Sequence, residues 1–276
     1  MTVNKSIYSS TNLPIGFDPF PEDALDSTYV DRFEEMVKRY PKNIAVTDRG
    51  RKVTYQELNA AANKLSWAIL DRRSSNAEKV GFLATQDIDS VITIWGILKA
   101  GKTYVPLSPN FPVDRLQALI TELDIPFLIT TPSFATLRVE LQARLPALQI
   151  LAVGELESTR SDNPGIAISQ DVFPYLGYTS GSTGKPKIIS HHARGLIDQQ
   201  RVKTNEFGLL ASDRWTIFNP LSFGGGAFSL FGAPAQRRRC MFVRYLFPRH
   251  AGYSSLDGGT GHHSYQYAAT RIPQCI

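Results

Sequence analysis

From Val80 to Val153 four short apolar runs alternate with three stretches of helical spacing, and this alternation limits the chain to very few folds. The runs are Val80–Ala84, Thr103–Pro106, Phe127–Thr130 and Ile150–Val153. Between them lie Ser90–Ala100, closed by Gly101, then Val113–Leu123 and Phe134–Arg144. Runs without polar alternation are buried on both faces of a sheet, and strands joined through helices run parallel. The pattern predicts a layered α/β domain with a mostly parallel sheet. Such sheets bind ligands beyond the carboxyl ends of their strands.

The flanking chain adds to this unit. Residues 1–29, with Pro14, Pro19 and Pro21 and little periodicity, read as an extended segment that wraps the surface. Val30, Phe33, Met36 and Val37 predict a helix over Tyr29–Tyr40. Ile44–Thr47 and Val53–Tyr55 around Gly50 predict a hairpin. Thr54 and Glu57 form a capping box, so a helix starts at once, with Leu58, Ala62, Leu65 and Ile69 on its packed face and Trp67 as a packing residue. Further on, Phe173–Tyr178 reads as a strand, His191–Phe207 as a helix, Trp215–Phe218 as a strand and Phe223–Phe231 as the start of another element.

The strand Phe173–Tyr178 leads into Thr179-Ser180-Gly181-Ser182-Thr183-Gly184-Lys185-Pro186-Lys187. Gly181 and Gly184 allow a tight backbone whose N–H groups approach an anion; the hydroxyls of Thr179, Ser180, Ser182 and Thr183 donate; Lys185 and Lys187 supply charge. The chemistry suits a polyphosphate. The loop is not a Walker loop, because Thr179 stands where that motif needs its first glycine and Pro186 where it needs a magnesium-binding hydroxyl. A flexible loop without ligand is the competing reading, weakened by the two lysines that flank a proline directly after a strand.

The net charge of +5 lies entirely in the last residues. Through Pro234 there are 24 basic and 24 acidic residues, whereas Ala235–Ile276 carries six arginines, no lysine and one acid, Asp257. Both cysteines, Cys240 and Cys275, fall there, with His250, His262 and His263, but at no spacing that suggests zinc, and no metal site of the protein's own is expected. No apolar run is long enough to span a bilayer and residues 1–20 lack a signal-peptide core, so no membrane partner and a cytoplasmic location are expected.

Four segments in order carry a family likeness: Val53-Thr54-Tyr55-Gln56-Glu57-Leu58; Leu98-Lys99-Ala100-Gly101-Lys102-Thr103-Tyr104-Val105-Pro106-Leu107; Tyr178 to Lys187; and Leu221-Ser222-Phe223-Gly224 with Phe231-Gly232-Ala233. With these the chain resembles the N-terminal part of the adenylate-forming (AMP-dependent synthetase/ligase) enzymes, closest to adenylation domains of nonribosomal peptide synthetases. The resemblance implies an incomplete large α/β domain over 30–234, and ATP with Mg2+ as cofactors. It also implies activation of a carboxylic acid to an acyl adenylate with pyrophosphate release, then transfer to a carrier-protein or CoA thiol. In this likeness Thr179, Ser180, Gly181, Ser182, Thr183, Gly184, Lys185 and Lys187 hold the phosphates, Phe223 and Gly224 lie at the acid, and no catalytic residue is assigned. The alternative is a truncated, catalytically inert fragment that at most binds nucleotide weakly.

The departures from the family are informative. Gly224 stands where many amino-acid-activating members have an aspartate that pairs with the α-ammonium, so an aryl, acyl or hydroxy acid is expected instead. Ile188 replaces a usual glycine; a backbone needing positive φ there would cost about 1–3 kcal/mol. His191 and His192 read as helix-capping surface residues before a catalytic pair. After Pro234 no further family segment is recognised. The tail 235–276 reads as a frame-shifted translation or a disordered end. One arginine triplet is poor grounds for nucleic-acid binding, and no nucleic-acid partner is expected. An unpaired sheet edge is expected where later strands would lie.

Overall fold

The computed structural model of the chain describes residues 13–72, 78–156, 159–180, 186–210, 213–217, 219–222, 226, 229–230 and 239–242. In chain order they form α1 (Tyr29–Arg39), β1 (Ile44–Asp48), β2 (Arg51–Thr54), α2 (Tyr55–Leu70), β3 (Lys79–Leu83), α3 (Ile88–Lys99) and β4 (Thr103–Leu107). These are followed by α4 (Val113–Glu122), β5 (Phe127–Thr130), α5 (Ala135–Arg144), β6 (Gln149–Ala152), β7 (Tyr175–Ser180), β8 (Pro186–His191), α6 (Ala193–Glu206), β9 (Arg214–Ile217) and β10 (Arg239–Phe242).

Six strands make one sheet in the order β6-β5-β3-β4-β7-β8, parallel throughout except for the antiparallel β7–β8 pair. The two-residue period of a strand sorts its side chains between two cores. Val80, Phe82, Tyr104, Phe127 and Ile129 join the cluster on the side of α1, α2, α3 and α6. Leu83, Val105, Leu107 and Leu128 join Leu116, Leu119, Ile120 and Leu123 from α4 and its end, with Leu141 of α5, on the other side. Apolar faces on both sides explain why these runs show no polar alternation.

A second sheet, β2-β1-β10-β9, shares the first core through Ala45, Val46, Val53, Trp215 and Ile217. Helix α3 is buried along nearly its whole length and has no polar stripe, as expected of a helix packed on all sides. Its Gly96 leaves so little room that a Cβ there would stand 2.8 Å from Leu65 Cδ2 and 3.0 Å from Leu65 Cβ of α2. The expected capping box of Thr54 with Glu57 forms, and Thr28 makes a second one with Asp31, each side chain accepting from a backbone N–H at the helix start.

The link from β6 to β7 crosses the outside of α2 and α3 and is tied there by polar groups. Asn163 Oδ1 accepts from Asn59 Nδ2 at 3.0 Å, Asn63 Nδ2 at 2.9 Å and Lys99 Nζ at 3.3 Å. Lys99 is buried and also pairs with Glu34; burial lowers its pKa, and the Glu34 carboxylate opposes that shift. Trp67, expected only to pack, donates Nε1–H to Asp162 O at 3.0 Å and carries the Arg160 guanidinium 3.0 Å from its ring centroid. The N-terminal segment is held by a matched pair of bonds, Phe20 N–H to Asn205 Oδ1 at 2.8 Å and Asn205 Nδ2–H to Phe20 O at 3.0 Å.

Two strands differ from the sequence expectation. Residues 186–191 pair with β7, although Pro186 and Lys187 were read as loop and His191 as the start of a helix; Lys187 through Ser190 are all exposed, so no apolar rhythm marked them, and the helix begins at Ala193. Ile188 sits in that extended strand opposite Tyr178, outside the positive-φ region, so the strain considered for it does not arise and its β-branch suits the place. Residues 239–242, inside the segment set apart by composition, form β10 between β1 and β9. Backbone pairing with two neighbours builds that strand, and backbone pairing asks little of composition.

Candidate functional site

The β3–α3–β4 connection passes on one face of the six-stranded sheet, whereas the connection through α4 from β4 to β5 passes on the other. Chain leaving adjacent parallel strands toward opposite faces opens a crevice outside their carboxyl ends. The carboxyl ends of β3, β4 and β7 stand side by side along this edge.

Strand β7 ends at Thr179 and Ser180, paired in register with Lys187 and Pro186 of β8. The five residues from Gly181 to Lys185 connect the two strands beyond their last rung and lie outside the described residues. Lys187 is exposed on β8, opposite Thr179. The described ends of this segment are therefore the carboxyl end of β7 and the start of β8, the two strands of an antiparallel pair.

The base of that hairpin is fitted tightly. A Cβ on Gly177 would stand 2.8 Å from Tyr175 Cζ, so the glycine makes room for the Tyr175 ring lying along its own strand. That ring meets Tyr104 at 5.2 Å between centroids, and burial pushes the hydroxyl pKa of both upward. Tyr178, on the other face, meets Phe111 at 6.4 Å. Burial pushes its hydroxyl pKa up as well, while the Ser108 backbone and the Arg115 charge pull the other way.

His191 ends β8, and His192 occupies the N-cap position of α6 without a side-chain capping bond, so the capping role expected of this pair is not made by His192. The His192 ring instead packs on Phe173 at 4.3 Å, with Nδ1 3.3 Å from Asp171 O.

Phe223 and Gly224 lie outside the described residues, as does Phe218, whereas 213–217 and 219–222 are described. Gln86, in the turn after β3, donates Nε2–H to Ile217 O at 2.6 Å and so links the carboxyl ends of β3 and β9. Leu221 is buried in the main core. A Cβ at Gly226 would run into Pro220 O and stand 2.8 Å from Asn219 O, so the segment closes back on itself and only glycine fits there.

The sequence model described as AMP-binding enzyme matches residues 33–250. The chain belongs to the AMP-binding enzyme family. The match runs past Pro234 and takes in β10. Surfactin synthase subunit 2 of Bacillus subtilis (strain 168) is 34% identical over 202 residues, covering 73% of this chain and 6% of that protein. Tyrocidine synthase 1 of Brevibacillus parabrevis is 31% identical over 73% of this chain and 18% of its own length. Syringomycin synthase SyrB1 of Pseudomonas syringae pv. syringae is 31% identical over 79% of this chain and 35% of its own length.

The same fold occurs in the AMPPNP-bound nonribosomal peptide synthetase FmoA3, with a TM-score of 0.71 at 23% identity over 83% of this chain and 24% of that one. It occurs too in holo-PA1221, a protein containing adenylation and PCP domains, with a TM-score of 0.65 at 22% identity over 78% of this chain and 36% of that one. This member of the AMP-binding family thus spans about a third or less of each of the three synthases. Among its described residues no helix is long and apolar enough to cross a membrane.

Of the residues singled out by sequence, Thr179, Ser180 and Lys187 lie on the hairpin strands, while 181–185, Phe223 and Gly224 lie outside the described residues. Gln86 was missed, because a side chain reaching 131 positions along the chain leaves no local pattern. Its one available signal was its place directly after a buried strand, where α/β sheets gather ligand-facing groups.

Proposed function

We propose that this chain carries the phosphate-holding half of a carboxylic-acid-activating site, in which ATP and the acid give an acyl adenylate and pyrophosphate. The β7–β8 hairpin supports the reading: Thr179 and Ser180 end β7 at the carboxyl edge next to β4, Lys187 pairs opposite Thr179, and the sequence between them supplies Gly181, Ser182, Thr183, Gly184 and Lys185, in a chain of the AMP-binding family. The donor set fits a polyphosphate, since backbone N–H groups, hydroxyls and ammonium groups answer the charge that develops on departing pyrophosphate. ATP would supply the adenylyl group, with pyrophosphate as the leaving group, and Mg2+ would accompany it. Phe223 and Gly224 are the proposed acid-side residues; with no carboxylate at 224, an acid without an α-ammonium group fits better. A carrier-protein or CoA thiol is the proposed acceptor, in keeping with the PCP domain of holo-PA1221, and the cytoplasm is the proposed setting.

Pyrophosphate–ATP exchange across a panel of aryl, acyl and hydroxy acids tests this. Exchange with at least one acid, lowered on the order of a hundredfold or more by Lys185→Ala, supports it. Silence with every acid, together with no ATP binding by calorimetry, refutes it. ATP binding without exchange supports the inert nucleotide-binding fragment instead.

A further inference from the structure

Within that proposed reaction, on which this inference rests, we infer that Tyr178 is a positioning residue for the phosphates of ATP, holding the outer half of the β7–β8 hairpin against the turn that follows β4. Backbone pairing does not do this. Tyr104 N–H of β4 donates to Pro174 O at 3.0 Å, and Tyr104 opposite Tyr175 is the one rung described between β4 and β7. Successive residues of a strand turn their N–H groups to opposite neighbours, so the next β4 group facing β7 after Tyr104 belongs to position 106. That residue is Pro106, which has no N–H to give. On its other side β4 stays in register with β3 as far as Leu83 opposite Leu107. The ladder thus stops on one side only, and from Leu176 to Ser180 the described rungs of β7 are all with β8.

Side chains take over where the ladder ends. Beyond Tyr175, Leu176 and Tyr178 pack against the second core, and Tyr178 is the nearer to the proposed phosphate-holding residues. Its ring meets Phe111, in the turn between β4 and α4, at 6.4 Å between centroids and 57° between planes. The turn is itself fixed: Phe111 N–H donates to Ser108 O at 3.2 Å, Leu116 N–H donates to Pro112 O at 3.1 Å, and Phe111 and Val113 pack on the same core. Thr179 follows Tyr178 directly and pairs with Lys187, and Ser180 pairs with Pro186. The rungs that carry Thr179, Ser180 and Lys187 therefore begin one residue beyond the ring contact. A strand end fixed by a ring pair instead of a ladder shifts when the ring is removed, and a misplacement on the order of 1 Å is enough to weaken the hold on a reacting group.

In pyrophosphate exchange with the best acid of the panel, Tyr178→Ala should raise the KM for ATP about tenfold and Phe111→Ala about as much, the size expected for one aromatic pair. Tyr178→Phe keeps the ring and should stay within about threefold of the parent chain. Because both alanines break one contact, the double variant should be no worse than the worse of the two. A purely structural role would lower the amount of folded protein and leave the KM where it was. An unchanged KM for ATP in both single variants, effects that multiply in the double variant, or a Tyr178→Phe as impaired as Tyr178→Ala overturns the inference and leaves the proposed reaction standing. Hydrogen exchange gives a readout independent of turnover: Tyr178→Ala should raise exchange at residues 187–190 with residues 80–83 unaffected, and Tyr178→Phe should not. Unchanged exchange at 187–190, or an equal rise at 80–83, overturns the inference even in a chain that activates no acid.

Discussion

Substituting Gly96 tests whether the α2–α3 contact organises the core. An added methyl would stand 2.8 Å from Leu65 Cδ2, 2.9 Å from Cγ and 3.0 Å from Cβ, against about 3.5–4.0 Å for comfortable carbon–carbon packing. The crowded group includes Leu65 Cβ, which cannot swing aside as a side-chain tip would, and Leu65 is fully buried. Gly96→Ala should carry an overpacking cost of about 1–3 kcal/mol, offset by about 1 kcal/mol of helix propensity. The net is a loss of about 1 kcal/mol, and the double mutant makes it sharp. In a Leu65→Ala background the approaches at 2.8 and 2.9 Å are removed and only the 3.0 Å approach to Cβ stays, so Gly96→Ala should cost less there than in the parent chain, a coupling on the order of 1 kcal/mol. Urea denaturation followed by far-UV circular dichroism measures all four variants. Additive effects, or a stabilising Gly96→Ala in the parent chain, would refute the packing argument.

Two further outcomes concern the exposed parts of the fold. Hydrogen bonds from Thr54 hold the Glu57 pKa below its ordinary value, so its contribution is present above the ordinary carboxylate range and is lost as the pH falls through the lowered folded value. Glu57→Ala should flatten that acid limb in urea midpoints taken from neutral to acid pH, and an unchanged limb would count against the capping box; Thr54→Ala should cost about 1 kcal/mol at neutral pH. On β8, Ile188 and Ile189 are 54% and 43% exposed and the strand pairs only with β7 among the described residues, so Ile188→Lys should lower concentration-dependent association in light scattering. Association unchanged by the substitution would place the sticky surface elsewhere.

What the sequence disclosed follows from what each residue is packed against. β3, β4 and β5 were legible because both their faces are buried, which forces an unbroken apolar run. α2 announced itself by Thr54 and Glu57, a local device that works within one turn. β8 left no such mark, since Lys187–Ser190 face solvent and only backbone pairing with β7 defines them. The segment Thr179–Lys187 was readable as a chemical proposal because hydroxyls, glycines and lysines so close together suit an anion better than a packing neighbour. Gln86 and the Asn163 clasp on α2 were unreadable for the opposite reason: each partner lies far off along the chain, and nothing near it requires an amide.

The place of β10 sets an order in time. Val46 pairs with Cys240, so the second sheet receives an inner strand from residues that emerge from the ribosome long after β1 and β2. At about 5–20 residues per second the β1–β2 hairpin has one bare edge for on the order of ten to forty seconds, whereas β9, made shortly before β10, waits only about one to four. The other sheet can assemble its first four strands within that interval from close-range β–α–β contacts. Synthesis thus builds the crevice wall that holds Gln86 before it closes the sheet that carries Ile217.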